Sequence, residues 1–263
     1  MLVNVVVGQF PVTLSLAENL RQIQQVVEQC EPDDLVVFPE GSLSGYSDDI
    51  RFLDQINPRA VEQHLDSLHQ LVVAHRIHLF VGVCRPDDLG WRNQAVYLGP
   101  QGEVEIYNKV NLAWHERGHM VPGDRLPVLN LKTHWGVLRV GVQLCREIRY
   151  PGQWHALARS GAEVFVYMTH TIDNGANRPV WRSHLVSRAA ENQRFVVAAN
   201  TAHEASGCPS GIIHPSGSVL AEAPPNDSIM LRHVLNTEAV SNWYLSQTRQ
   251  NLPRQNPCVD SPP

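Results

Sequence analysis

Cys145 is the first residue whose surroundings suggest chemistry. It follows the apolar run Trp135–Leu144 and precedes a polar segment, Arg146-Glu147-Ile148-Arg149, that leads through Pro151 toward a helix. A strand-to-helix turn exposes the side chain at its apex and aims backbone N–H groups and a helix N-terminus at it. That setting lowers a thiol pKa and supplies an oxyanion hole. Arg146 and Arg149 would favour the thiolate further. The competing reading is a packing cysteine, the usual fate of a free thiol. Glu40 stands just past a second apolar run, Asp34–Phe38, where α/β folds place functional side chains. Taken alone it is a solvated loop carboxylate. Lys109 ends the alternating run Val104–Val110 and, alone, is an ordinary surface lysine. His115-Glu116-Arg117-Gly118-His119 spells H-E-x-x-H, which holds zinc only on a helix that turns both histidines to one face. Gly118 and the following Val121-Pro122-Gly123 weaken that helix.

The elements that would position these groups follow from hydrophobic period. Val3–Gly8 is a continuous apolar strand, and Leu16, Leu20, Ile23 and Val27 mark one face of a helix. Pro58–Arg76 reads as a helix with proline in its first turn, and Ile77–Cys84 and Asn93–Leu98 as strands. Gly99-Pro100-Gln101-Gly102 turns the chain between Tyr97 and Val104. A loop rich in His, Gly and Pro then leads to the Trp135–Leu144 strand. Helices are expected at Gln153–Arg159 and Trp181–Gln193, and strands at Glu163–Met168, Phe195–Asn200, Gly211–His214, Ser218–Ala221 and Ile229–His233. From about Asn236 the period fades, so 236–263 reads as an extended tail, disordered or laid across a partner subunit. Alternating strands and helices without repeat or interior linker predict one layered α/β domain over 1–263.

Composition narrows the function classes. The 263 residues are 43% hydrophobic and 18% charged, an ordinary globular balance. A net charge of −5 with no basic face argues against nucleic acid, and no apolar run is long enough to span a bilayer. The start MLVNVVVGQF reads as a first strand rather than a signal peptide. Five scattered cysteines, Cys30, Cys84, Cys145, Cys208 and Cys258, form no C-x-x-C pair, which speaks for a reduced, cytoplasmic protein without structural zinc.

Five segments, in order, resemble the nitrilase (carbon–nitrogen hydrolase) superfamily. VVFPEGSLSGY is similar to its Glu motif, YNKVNLAWHERGHMVPGD to its Lys motif, and GVQLCREIRYPGQWHALARSGAEV to its Cys motif. SRAAENQRFVVAAN and GIIHPSGSVLAEA resemble its later helix–strand and hairpin segments. The resemblance implies a four-layer α-β-β-α sandwich and a homodimer or higher homo-oligomer. It also implies a small amide or N-carbamoyl substrate, an amidase-like triad of Glu40, Lys109 and Cys145 with Glu116 as a second carboxylate, and neither metal nor organic cofactor. Glu40 would serve as general base, Cys145 as nucleophile forming a thioester, and Lys109 with the Arg146 backbone N–H as oxyanion donors. Tyr46, Trp114, Arg146, Arg149 and His170 flank these motifs and are the expected substrate-binding residues, the arginines pointing to a substrate carboxylate or, equally, to a neighbouring acidic side chain. The chain departs from the family at Arg146, where Tyr, Trp or another bulky residue is common, at Gly152, where Glu usually follows the proline, and at Asn111, where His is frequent. It also lacks the Trp-Glu-Asn run typical of true nitrilases, which favours amide or carbamoyl hydrolysis over nitrile hydrolysis. Three rivals stand beside this reading: a member of the same fold that passes the acyl group to an amine, a zinc peptidase built on H-E-x-x-H, and a catalytically silent scaffold.

Overall fold

The computed structural model describes residues 1–173 and 175–247. The chain opens with strand β1 (Leu2–Gln9), helix α1 (Leu16–Val27) and strand β2 (Leu35–Val37). Helix α2 (Pro58–His75) and strands β3 (His78–Asp87), β4 (Gly90–Leu98) and β5 (Val104–Asn108) complete the first half. The second half runs β6 (Val128–Thr133), β7 (Gly136–Leu144), α3 (Pro151–Arg159), β8 (Val164–Met168), α4 (Arg178–Asn192) and β9 (Phe195–Ala199). It ends with β10 (Gly211–Ile213), β11 (Val219–Glu222), β12 (Ile229–Asn236) and a short α5 (Trp243–Ser246).

Local chemistry sets the helix ends. The Ser15 hydroxyl accepts from Glu18 N at the start of α1, and the Asn57 side chain accepts from Arg59 N and Ala60 N ahead of Pro58 in α2. Two six-stranded sheets form, in the orders β12-β1-β2-β3-β4-β5 and β11-β10-β9-β8-β7-β6. β1, β2 and β3 run parallel, as do β7, β8 and β9, and the outer strands are antiparallel.

The period-2 alternation of the strands decides the layers. Val3, Val5 and Val7 of β1, Leu35 and Val37 of β2, and Val140, Val142, Val164, Val166, Phe195 and Val197 of the second sheet fill one core between the sheets. The intervening Val6 and Val36 face α1 and α2, while Phe165, Tyr167 and Val196 face α3 and α4. The result is the expected α-β-β-α sandwich.

Two segments differ from the sequence expectation. Val128–Thr133 lay in a stretch read as loop, but Leu129 and Leu131 are buried and the segment pairs with β7 alone, as an edge strand. The presumed tail is ordered through α5: the buried Arg194 donates to the Ser241 carbonyl and to the Asn242 side chain, tying the chain down. The rest of the tail, 248–263, lies outside the described residues. No helix among the described residues is long and apolar enough to cross a membrane.

Candidate active site

The parallel strands bring Glu40, Cys145 and His170 to one end of the sandwich, just past β2, β7 and β8. Glu40 is placed by a loop that folds back on β3. Gly82 N donates to the Ser42 hydroxyl at 2.9 Å, Leu43 N to the Gly82 carbonyl at 3.0 Å, and Cys84 N to the Ser44 hydroxyl at 2.7 Å. Gly82 is required for this approach: a Cβ there would sit 2.3 Å from Gly41 N and 2.4 Å from the Pro39 carbonyl oxygen.

Lys109 follows β5, held by its backbone N–H on the Asn93 carbonyl at 2.9 Å. Its Nζ donates to Glu40 Oε1 at 2.8 Å and to Glu116 Oε1 at 2.9 Å, and all three side chains are fully buried. Asn93 Nδ2 bridges the same two oxygens at 2.7 and 2.6 Å. The Tyr46 hydroxyl donates to Glu116 Oε1 at 2.7 Å, Ala113 N to Glu116 Oε2 at 2.5 Å, and His170 N to Glu40 Oε2 at 3.0 Å. Burial by itself would drive Lys109 neutral, but the two carboxylates outweigh it and hold the ammonium well above its ordinary pKa. Burial also opposes ionisation of Glu116, yet Lys109, Tyr46 and Asn93 keep that carboxyl below its ordinary value.

Cys145 begins a five-residue 3-10 turn, Cys145–Arg149, with φ at 39°, in the left-handed region. Such a conformation costs a non-glycine residue about 1–3 kcal/mol and persists only where its surroundings enforce it. Here the Tyr167 hydroxyl donates to the Cys145 carbonyl at 2.8 Å, and Glu147, two residues on, anchors the turn. Its buried carboxylate accepts from Leu144 N at 2.7 Å, Val110 N at 2.8 Å, Asn111 N at 3.0 Å and the Tyr107 hydroxyl at 2.8 Å. It therefore ties the residue before Cys145 to the two residues after Lys109, across the two sheets. Burial pushes the Glu147 carboxyl up, against the pull of those donors.

The thiol is not pre-ionised. Burial and then the Glu40 carboxylate push it up to about 12, against Lys109 and the Thr169 hydroxyl. This corrects the expectation that Arg146, Arg149 and a helix N-terminus create a thiolate. Both arginines are exposed, Arg149 lies 5.3 Å over the Trp181 ring, and α3 starts only at Pro151. Two carboxylates and one ammonium already give the cluster one net negative charge. A thiolate would add a second, unless its proton passes to Glu40 and the total stays unchanged.

Of the residues expected to bind substrate, Tyr46 and His170 meet the cluster, with ring centroids 5.5 Å apart. Trp114 does not: it is 79% exposed and packs beneath Arg117. The Arg146 and Arg149 side chains likewise make no contact with the carboxylates. The H-E-x-x-H segment is a three-residue 3-10 turn, Trp114–Glu116, followed by Gly118 at φ 81°, so its histidines never share a helical face. His115 Nε2 lies 2.9 Å from the Tyr46 hydroxyl, and His119 is exposed. No group of three potential metal ligands occurs among the described residues.

Sequence reasoning missed Asn93, the anchoring role of Glu147, and Thr171, whose hydroxyl lies 3.9 Å from the Cys145 sulfur and 2.7 Å from that of Thr169. Asn200 clamps the Thr171 peptide, accepting from its N–H at 2.8 Å and donating to its carbonyl at 3.2 Å. One signal was available for Asn93: with Gln94 it is a polar pair leading directly into the apolar run Ala95–Leu98.

Comparison with known proteins is consistent with this geometry. The carbon–nitrogen hydrolase family profile matches residues 5–243. An (R)-stereoselective amidase from Pseudomonas sp. is 32% identical over 227 residues, covering 83% of this chain and 78% of that protein. A protein named nitrilase from Pyrococcus abyssi is 26% identical over 222 residues, covering 81% of each. Among solved structures, a variant amidase from Nesterenkonia sp. AN1 carries the acetamide moiety of fluoroacetamide on its active-site cysteine. It superposes with a TM-score of 0.79 at 22% identity, covering 94% of both chains, which speaks to the fold.

Proposed function

The chain belongs to the carbon–nitrogen hydrolase family, and from that premise we propose that it cleaves the C–N bond of a small amide or N-carbamoyl substrate through a thioester on Cys145. The observation that carries the reading is the buried Glu40–Lys109–Glu116 cluster, close enough to Cys145 for Glu40 and Lys109 to act on its thiol.

Glu40 takes the thiol proton as the sulfur attacks the carbonyl carbon, so the site's total charge does not change. Lys109 has three N–H donors and spends two on the carboxylates, leaving the third for the developing oxyanion with the Arg146 backbone N–H. Collapse of the tetrahedral adduct breaks the C–N bond, and protonated Glu40 returns its proton to the departing ammonia or amine. Water, deprotonated by Glu40, then attacks the thioester; the C–S bond breaks, Glu40 returns the proton to the Cys145 sulfur, and the acid is freed. Glu116, Asn93 and Tyr46 hold Lys109 and Glu40 in place, and Tyr46 and His170 border the substrate.

The unit is one hydrolase domain over 1–263 with 236–263 as its tail. It works as a cytoplasmic homodimer, a reading supported by four unpaired cysteines among the described residues and by exposed Val180 and Trp243. Light scattering tests the dimer. For the chemistry, wild type and Cys145→Ala are compared for ammonia release over amides, carbamoyl compounds and nitriles, with mass spectrometry of the Cys145 peptide. Release that depends on Cys145, with an acyl adduct on it, is the expected result. Turnover at the wild-type rate by Cys145→Ala overturns the assignment, and product formed only with added amine identifies acyl transfer.

A further inference from the structure

A cleft of about 390 Å³ is lined by Tyr46 and His170, the two residues that border the substrate in the mechanism above, and by Val12, Leu14, Asp48 and Ile172, which that mechanism does not use. Its walls join the catalytic groups through three consecutive residues. His170 and Ile172 line the cleft, while Thr171 between them faces the Cys145 sulfur at 3.9 Å. Tyr46, also on the wall, donates to Glu116. One residue of chain, Thr171, therefore separates the cleft wall at His170 and Ile172 from the neighbourhood of the sulfur.

The lining has a definite chemistry. Val12, Leu14 and Ile172 are apolar, and Leu14 and Ile172 are 43% and 37% exposed, as open walls awaiting a partner would be. Burial holds the His170 imidazole neutral, and its Nε2 has no hydrogen-bond partner. Among the described lining residues, Asp48 is the only anionic side chain, and none carries a fixed positive charge. Its Oδ1 lies 3.7 Å from His115 Nε2, which also meets the Tyr46 hydroxyl. Arg146 and Arg149 are absent from this lining.

Resting on the hydrolase reading above, we propose that this cleft receives the acyl chain of the substrate and that Asp48 selects uncharged or cationic chains against those ending in a carboxylate. An ω-amide of a dicarboxylate would place its free carboxylate in a cleft that offers no arginine or lysine and one like charge. An aliphatic or ammonium-bearing amide meets apolar walls and an attractive charge.

The test uses chains of equal length: hexanamide, 6-aminohexanamide and the monoamide of adipic acid, with the four-carbon set beside them. Expected on wild type is a kcat/KM lowest for the carboxylate-bearing amide, by about twofold to fivefold below the neutral one, the size an exposed charge pair supports. Asp48→Asn narrows the spread and Asp48→Lys reverses the order. Equilibrium binding of the same amides to Cys145→Ala reads the charge order without turnover. An absence of turnover and of acyl adduct would therefore sink the hydrolase reading, while the binding order still decides this one. A carboxylate-bearing amide preferred by wild type, or a charge order unmoved in both Asp48 variants, overturns the proposal.

Discussion

Replacing Glu147 by Gln tests whether this carboxylate holds the nucleophile and the lysine in register. Both oxygens accept from backbone N–H groups, Oε1 from Val110 and Asn111 and Oε2 from Leu144. A glutamine keeps the volume but has one acceptor oxygen. Whichever way its amide turns, an NH2 group faces either the Leu144 N–H or the Val110 and Asn111 pair. At least one buried N–H is then left unsatisfied, at about 1–3 kcal/mol, and the donor–donor contact forces the turn at Cys145 away from the Lys109 segment. A domain holds about 5–15 kcal/mol in all, so the variant should fold with a lower denaturation midpoint. Misplacement on the scale of 1 Å costs about 100-fold in rate, so kcat should fall by about 10- to 100-fold with KM within a few-fold of wild type. Urea unfolding and steady-state kinetics on the best amide measure both. Wild-type kcat in Glu147→Gln, whatever its stability, would refute the positioning argument, because a group with a purely stabilising role moves only the midpoint.

Three further outcomes follow from the geometry. Gly82→Ala drives a methyl group into the Glu40 loop, so hydrolysis should fall at least about 100-fold while stability drops by about 1–3 kcal/mol; full activity would mean the loop is not fixed by that contact. Glu40→Gln removes a negative charge that raises the Cys145 thiol, so the thiol should titrate below about 12, followed by ultraviolet thiolate absorbance against a Glu40→Gln/Cys145→Ala background, while hydrolysis is lost; an unchanged titration contradicts the electrostatic account. Burial lowers His170 from 6.5 to about 4, so the unfolded chain takes up the proton first as pH falls; stability present above 6.5 is lost progressively down to about 4, by at most about 3 kcal/mol, and in His170→Gln that stretch of the stability profile should flatten.

The four layers were implied by the resemblance of five motifs rather than by spacing; what the sequence alone determined is the alternation within each strand, because that is a local property. Val3, Val5 and Val7 must face one side and Val6 the other whatever packs there. Motifs marked Glu40, Lys109, Glu116, Cys145 and Tyr46 as candidates, and its place at a strand end marked His170; the fold gathers all six at one end of the sandwich. The edge strand Val128–Thr133 was not legible, since its short alternation gains burial only after β7 has formed beside it. Tertiary structure alone decided the electrostatics. Asn93 meets Glu40 across 53 residues of chain and Glu116 across 23, contacts that no spacing rule encodes. The same holds for Glu147, which looked like one more charge beside two arginines but is buried and accepts from Val110 N, 37 residues away. Arg149 stands four residues from the nucleophile in sequence, yet lies over Trp181 and leaves the thiol to burial and Glu40. The physical reason is that a charge acts through distance and dielectric, and both are set by what packs around it rather than by its neighbours along the chain.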